Sequence, residues 1–109
     1  MMLAGITGRE FIGTREHIEE TLKKNLPFIC EQFNVRSIGI FGSYARDSQH
    51  EKSDVDILVE FEKGYKDLFN YIRLKTYLEH LFNAEVDLVM KEAIKPKLKE
   101  IILREVRYV

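Results

Sequence analysis

The chain has 109 residues, of which 45% are hydrophobic and 32% are charged, and its formal net charge is −1. These values indicate one globular domain without the basic excess of nucleic-acid-binding proteins, so we expect no direct binding of nucleic acid. No apolar run is long enough to cross a bilayer, and the N-terminus lacks the apolar core of a signal peptide. Because the single cysteine, Cys30, cannot form an internal disulfide, we expect a cytoplasmic protein without membrane association.

The first elements in chain order are helices. Residues 1–13 show little hydrophobic pattern and contain three glycines, so we expect a partly ordered leader before a single domain at residues 14–109. Thr14 predicts the N-cap of a helix in which apolar residues recur at helical spacing. Pro27 suits the first turn of a second short helix, for which Asn34 is the expected C-cap.

The remaining elements alternate between strands and helices. They are predicted as strands at 37–41, 55–61 and 85–90, a short helix at 43–48, a long helix from Asp67 to about Phe82, and a last helix that begins near Pro96 and includes Glu105 and Val106. The apolar stripe of the long helix is predicted at Leu68, Tyr71, Ile72, Leu78, Leu81 and Phe82. This order indicates an α/β (α+β) fold, in which helices pack on a small sheet of about three strands.

Two short motifs lie at the ends of the first two predicted strands. Gly42 and Ser43 close an apolar run, and after ten more residues Asp54, Val55 and Asp56 open another. Backbone N–H groups at a sharp strand-to-helix turn, together with the helix dipole, favour phosphate binding. Side chains two residues apart on a strand share a face, so the two carboxylates can bind one Mg²⁺ ion. Together the motifs predict a nucleotide site.

A third aspartate falls on the third predicted strand. Because neighbouring strands lie about 4.8 Å apart, Asp87 can stand beside Asp54 and Asp56. Three carboxylates at this distance repel one another unless a cation joins them or one takes a proton. This arrangement favours two Mg²⁺ ions that hold a nucleoside triphosphate for in-line transfer. The alternative is that Asp87 is only a charged residue that protects an edge strand from pairing.

The phosphate-binding candidates have structural alternatives. Gly42 has no side chain to block the approach of a phosphate to the backbone. Ser43 either donates its hydroxyl to the β- or γ-phosphate or caps the short helix. Arg46, one helical turn later, either reaches the triphosphate or pairs with Asp47 or Glu51.

Three segments carry a family pattern: Phe41–Arg46, Ser53–Val59 and Glu85–Val89. They resemble the nucleotidyltransferase superfamily of DNA polymerase β, and more narrowly the minimal nucleotidyltransferases (MNT proteins) that are paired with HEPN proteins in prokaryotic toxin–antitoxin modules. The resemblance extends from about Thr14 to Tyr108 and implies a mixed sheet. Asp47 stands where the group usually carries glycine, and it either repels a triphosphate or faces solvent.

The resemblance implies an activity and a partner. Asp54 and Asp56 would bind the metal ions, and Asp87 would bind the catalytic metal and help to deprotonate the attacking hydroxyl. MNT antitoxins transfer AMP from ATP onto a tyrosine of the cognate HEPN ribonuclease, which silences it. A domain of this size has little surface to enclose an acceptor, so we expect another protein to hold or to be the acceptor, in a hetero-oligomer or a homo-oligomer. Two alternatives are a binding module that masks the toxin by contact and a small-molecule nucleotidyltransferase.

Other reactive side chains are interpreted as structural. The histidines, His17, His50 and His80, have no spacing typical of metal ligands, and Cys30 is expected in the core. Tyr71 and Tyr77 are expected to pack from the long helix. The basic residues near the C-terminus alternate with glutamates, which is typical of a solvated helix face.

Overall fold

The computed structural model of the protein describes residues 14–46, 48 and 54–109. Its elements in chain order are α1 (Arg15–Phe33), β1 (Val35–Phe41), α2 (Gly42–Ala45), β2 (Val55–Phe61), α3 (Leu68–Phe82), β3 (Val86–Met90), a short 3₁₀ turn (Lys91–Ala93), α4 (Pro96–Glu105) and β4 (Arg107–Tyr108). The predicted leader at 1–13 lies outside the described residues. The predicted short helix at 43–48 is found as the single turn α2.

The helix caps predicted at Thr14 and Asn34 are confirmed, and the long helix begins after Asp67, close to its predicted start. The Thr14 side chain accepts a hydrogen bond from the His17 backbone N–H, and Asp67 does the same for Asn70 at the start of α3. Asn34 ends α1 in the left-handed conformation, with φ of 53°. Each of these caps uses only residues within one helical turn, which is why the sequence alone predicts them.

The predicted break at Pro27 is wrong, because α1 continues through it to Phe33. Proline lacks an N–H and leaves the carbonyl of Lys23 without its helical partner. Both residues are exposed, so water can satisfy that carbonyl, while Leu22 and Ile29 on the opposite side are fully buried. Packing on both sides of the proline therefore keeps the helix continuous.

The strands form one four-stranded mixed sheet in the order β3-β2-β1-β4. β1 is antiparallel to both β2 and β4, and β2 is parallel to β3. The predicted α/β class and mixed sheet are confirmed, and β4 adds a fourth strand beyond the three predicted. β4 has only two residues, Arg107 and Tyr108, and therefore carries no readable alternation. The predicted last helix ends earlier than expected, at Glu105.

The core lies between the sheet and a layer formed by α1 and α3. Its fully buried side chains include Ile18, Leu22, Ile29, Ile38, Ile40, Val55, Ile57, Val59, Leu74 and Leu78. Alternate residues of β2 from Val55 to Phe61 all face this core, as the sequence predicts, which leaves Asp56 on the other face.

The predicted stripe of α3 is partly wrong. Leu78 and Phe82 are buried, but Leu68 and Ile72 are 69% and 48% exposed, and the buried row begins instead at Asn70 and Leu74. The Asn70 amide donates hydrogen bonds to the backbone carbonyls of Phe33 (2.7 Å) and Tyr65 (3.1 Å). Because the buried row begins with a polar residue, a pattern based on hydrophobicity alone does not identify the correct buried face of α3.

Within the described part of the chain, no helix has both the length and the apolar content needed to cross a membrane.

Candidate active site

The site begins where β1 turns into α2. Gly42 has φ of +74°, a conformation that side-chain-bearing residues rarely adopt. A β-carbon at this position would also lie 2.0 Å from Oδ2 of Asp56. Gly42 is therefore required both for the turn and for the close approach of its backbone to Asp56. The predicted strand-to-helix turn is present.

Ser43 lies inside α2, after an N-cap at Phe41, so its predicted alternative role as the helix cap is wrong. Its carbonyl accepts a hydrogen bond from the Ser48 backbone N–H at 2.9 Å. The next residue, Tyr44, is almost fully buried in the core and fixes the turn. The expected contact of the Ser43 hydroxyl with phosphate stays a prediction.

The register of the sheet brings the Gly42 turn and Asp87 to either side of Asp56. Asp56 pairs with Phe41 across the antiparallel β1–β2 ladder and with Asp87 across the parallel β2–β3 ladder. Neighbouring strands lie about 4.8 Å apart, and residues in register point to the same face. Asp56 is half-buried, whereas Asp54, just before β2, and Asp87 are exposed. The register thus places Asp56 between the Gly42 turn and Asp87.

The carboxylates make this end of the sheet strongly negative. The pKa of Asp56 is raised to about 6, chiefly by burial and then by the negative charges of Asp87 and Asp54. The nearby Arg46 lowers the pKa and Glu105 raises it, both to a smaller extent. A bound cation would remove the repulsion that these carboxylates exert on one another.

The residues suit a hard cation in chemistry, although they do not form a closed cage. Among the described residues, no three His, Cys, Asp or Glu side chains come together as a set that could hold a metal ion. Mg²⁺ is usually held by only one or two carboxylates, together with substrate phosphates and water. Asp56 and its neighbours offer carboxylate oxygens alone, and Gly42 leaves the space beside Asp56 Oδ2 free of a side chain. This donor set fits Mg²⁺ with a nucleotide.

Glu105, the last residue of α4, is part of the site and was not predicted. Its Oε2 accepts a hydrogen bond from the Gly42 N–H at 2.9 Å, and its Oε1 lies 3.0 Å from Nη1 of Arg46. Arg46 was expected to reach phosphate or to pair with Asp47 or Glu51, and both of these acidic residues lie outside the described part of the chain. The available signal was an acidic side chain on the apolar stripe of α4, next to Ile101 and Ile102.

The residues interpreted as structural mostly behave so. The Tyr71 hydroxyl donates to the Leu88 carbonyl at 2.7 Å, and the ring of Tyr77 packs against Phe28 and Phe33. Cys30 is partly buried against the core, and burial raises the pKa of its thiol, which disfavours a nucleophilic role. His50 lies outside the described residues.

Comparisons with known proteins agree with this geometry. The nucleotidyltransferase domain family matches residues 22–109. Protein adenylyltransferase MntA of Thermococcus cleftensis is 48% identical over 96 residues, which is 88% of this chain and 96% of that protein.

Two solved structures are similar as well. A protein described as a candidate minimal nucleotidyltransferase aligns with a TM-score of 0.75 and 35% identity, covering 87% of this chain and 95% of its own. A toxin–antitoxin complex solved with AMP-PNP aligns with a TM-score of 0.62 and 26% identity, covering 86% of this chain and 70% of its own. The predicted resemblance is thereby confirmed, and the chain belongs to the nucleotidyltransferase domain family.

Proposed function

We propose that this nucleotidyltransferase is a Mg²⁺-dependent protein adenylyltransferase that acts as an antitoxin. It moves AMP from ATP onto a tyrosine of a partner HEPN ribonuclease and so neutralises the partner. The observation that carries the proposal is the position of Asp56, which lies against the Gly42 turn and in register with Asp87. Because its substrate ATP is abundant there, the protein would act in the cytoplasm.

Each site residue has a proposed role. Asp54, Asp56 and Asp87 hold two Mg²⁺ ions, which supply electrostatic stabilisation of the phosphoryl oxygens when bound. The Gly42 N–H, the Ser43 hydroxyl and the Arg46 guanidinium bind the phosphates.

The reaction is a substitution at phosphorus. The tyrosine oxygen forms a bond to the α-phosphorus, the bond from that phosphorus to the bridging oxygen of the β-phosphate breaks, and pyrophosphate leaves. The tyrosine proton passes to a carboxylate of the site, for which Asp87 is the proposed base.

The similar proteins support the substrate and the partner. The relative from Thermococcus cleftensis is named a protein adenylyltransferase, and one similar structure is a toxin–antitoxin complex with an ATP analogue. The family resemblance supplies the HEPN class and the tyrosine.

The test is a mass measurement on the partner. The protein is incubated with ATP, Mg²⁺ and a cognate HEPN protein, and the intact mass of that partner is followed. We expect gains of one or more AMP units on tyrosine, and a loss of several orders of magnitude in rate for Asp56→Asn. Asp67→Asn is the matched control, because it removes the same charge far from the site and asparagine caps a helix as well as aspartate does. Equal rates for Asp56→Asn and Asp67→Asn would refute the assignment.

A second test concerns the metal. A ligand that binds only the folded state raises the melting temperature by mass action. We expect ATP with Mg²⁺ to raise it clearly more than ATP with EDTA, and Asp56→Asn to remove most of that difference. The same shift with and without metal would mean that the carboxylates do not bind Mg²⁺.

One observation favours a second function, a binding module that masks the toxin without catalysis. In the structure, Glu105 accepts the Gly42 N–H and pairs with Arg46, so a carboxylate holds two of the groups proposed for phosphate. If Asp56→Asn neutralises the partner as fully as the wild type does, catalysis is dispensable and this second function holds.

A further inference from the structure

Glu105 holds donors that a nucleotide would need. Its carboxylate accepts the Gly42 N–H at 2.9 Å through Oε2, and Nη1 of Arg46 lies 3.0 Å from Oε1 and 3.3 Å from Oε2. Carboxylate and phosphate oxygens are both anionic acceptors and take the same charge-assisted hydrogen bonds from backbone N–H and guanidinium groups. The two anions therefore compete for Gly42 and Arg46.

We propose that Glu105 is an internal substitute for the nucleotide phosphates, which holds the Gly42 N–H and Arg46 until ATP displaces it. The inference rests on the proposed function, since it takes Gly42 and Arg46 as the phosphate-binding groups of that site. Glu105 is then a residue that sets the affinity for ATP, and it acts by competition.

The negative charges at the site indicate that Glu105 competes with the nucleotide phosphates and does not help to bind them. ATP brings several negative charges to a place where Asp54 and Asp87 already repel the Asp56 carboxylate. Glu105 adds a further negative charge that also acts on Asp56. A carboxylate that stayed on the Gly42 N–H would repel the incoming phosphates at close range.

Packing shows why Glu105 can leave. No residue of α4 is buried, so few contacts fix the helix against the rest of the domain. The Arg46 side chain is 56% exposed and the Glu105 side chain is 20% exposed, so solvent reaches their ion pair mainly from the Arg46 side. Ion pairs in contact with solvent contribute little to stability. Directly after Glu105, β4 pairs with Gly39 and Ile40 of β1, which anchors the backbone there. Displacement thus needs a change of the Glu105 side chain and leaves the sheet intact.

The first test compares nucleotide affinity in Glu105→Gln and in Glu100→Gln. Glu100 is on the same helix, is 82% exposed and pairs only locally with Arg104 among the ion pairs described, so it is a matched control. We expect Glu105→Gln to lower the Kd for ATP with Mg²⁺ about tenfold, which is about 1.4 kcal/mol. The Kd for adenosine, which has no phosphate, should stay unchanged, and Glu100→Gln should match the wild type. An unchanged or raised Kd for ATP in Glu105→Gln would overturn the proposal.

The second test follows the Gly42 amide by NMR and also checks the fold of each variant. In the absence of nucleotide, we expect the Gly42 amide resonance to differ between the wild type and Glu105→Ala, because only the wild type offers a carboxylate acceptor. At saturating ATP the two resonances should converge, since phosphate is then the acceptor in both. A wild-type Gly42 resonance that ATP does not move would show that Glu105 stays in place, and would overturn the proposal.

Failure of this inference is distinguishable from failure of the proposed function. If the wild type adenylylates its partner but Glu105→Gln binds ATP no more tightly, only the competition by Glu105 is refuted. If neither the wild type nor any of these variants binds ATP, both proposals fall.

Discussion

The two longest helices after α1 serve the site in opposite ways. α3 buries Asn70, Leu74, Leu78 and Phe82 against the core but brings no residue to the site. α4 buries no residue, yet its last residue, Glu105, contacts both Gly42 and Arg46. The firmly packed helix and the site residue thus belong to different parts of the domain.

This difference shows that the residues that stabilise the domain are separate from the α4 contact that can change when a ligand binds. The layer of α1 and α3 packs on the strands and holds the register that pairs Asp56 with Asp87. That register must not change during a reaction, because a one-residue slip of either strand would turn the carboxylate of that strand to the other face. The contact from α4 can change without cost to the core. Three predictions examine this division, from the largest expected effect to the smallest.

The largest effect is expected on the free energy of unfolding, when one large apolar side chain in each of the two helices is replaced by alanine. Leu78 of α3 is fully buried, so Leu78→Ala should destabilise the domain by about 2–5 kcal/mol. Ile101 of α4 is 57% exposed, so Ile101→Ala should change stability by no more than about 0.5 kcal/mol. Urea unfolding at constant m-value measures both. A similar loss for both variants would make α4 part of the core, and the division would fail.

A smaller difference in stability is expected between alanine variants of two glycines, which share a positive φ but differ in their surroundings. Gly64 has φ of +91° and open space where a β-carbon would lie, so Gly64→Ala should cost only the backbone strain of about 1–2 kcal/mol. At Gly42 the added carbon would also meet Asp56, so Gly42→Ala should cost about 1–3 kcal/mol more.

The same two variants also distinguish the effect of backbone strain from a loss of nucleotide binding at the site. We expect Gly64→Ala to keep the wild-type Kd for ATP and Gly42→Ala to lose most of its affinity, as measured by calorimetric titration. Matching losses of stability and affinity in the two variants would mean that Asp56 moves aside freely and that the Gly42 turn is not fitted to it.

The sequence predicts features whose cause is local. The caps at Thr14, Asn34 and Asp67 depend on neighbours within a turn, and the Gly42 turn depends on its own backbone. The prediction for Pro27 failed because the effect of a proline depends on whether the freed carbonyl reaches water, which only tertiary packing decides.

Features that depend on contacts between distant parts of the chain could not be predicted from the sequence. Glu105 is 63 residues from Gly42, so no local pattern connects the two, although an acidic residue on the apolar stripe of α4 is unusual. β4 is too short for a pattern, and it forms because Gly39 lets Arg107 and Tyr108 approach β1, where a β-carbon would lie 2.7 Å from the Arg107 carbonyl oxygen. The aspartates were predictable because Asp54 directly precedes β2 and Asp56 lies in it, and the order of strands then brings Asp87 alongside Asp56.

The smallest effect is expected from the charge of Asp56 itself, which the rigid part of the domain holds in an unfavourable place. Its pKa is raised to about 6 in the folded protein, chiefly by burial, from 3.8 in the unfolded chain. Between these values the folded state binds more protons than the unfolded state, so this group stabilises the fold as pH falls from above 6 to below about 4. At neutral pH the charged carboxylate therefore lowers stability.

Asp56→Asn should consequently raise the free energy of unfolding in EDTA at pH 8, by about 1–2 kcal/mol after allowance for solvent screening. The gain should shrink through pH 6 and vanish below about pH 4, where the wild-type Asp56 is protonated in both states. Asp87→Asn, at the exposed neighbour in register, should give a smaller gain, because it only removes a charge that repels Asp56. Urea unfolding of the three proteins from pH 4 to pH 8 measures these differences, in which the titration of all other groups largely cancels. If Asp56→Asn is instead less stable than the wild type at pH 8, the packed layer does not hold Asp56 against its own charge.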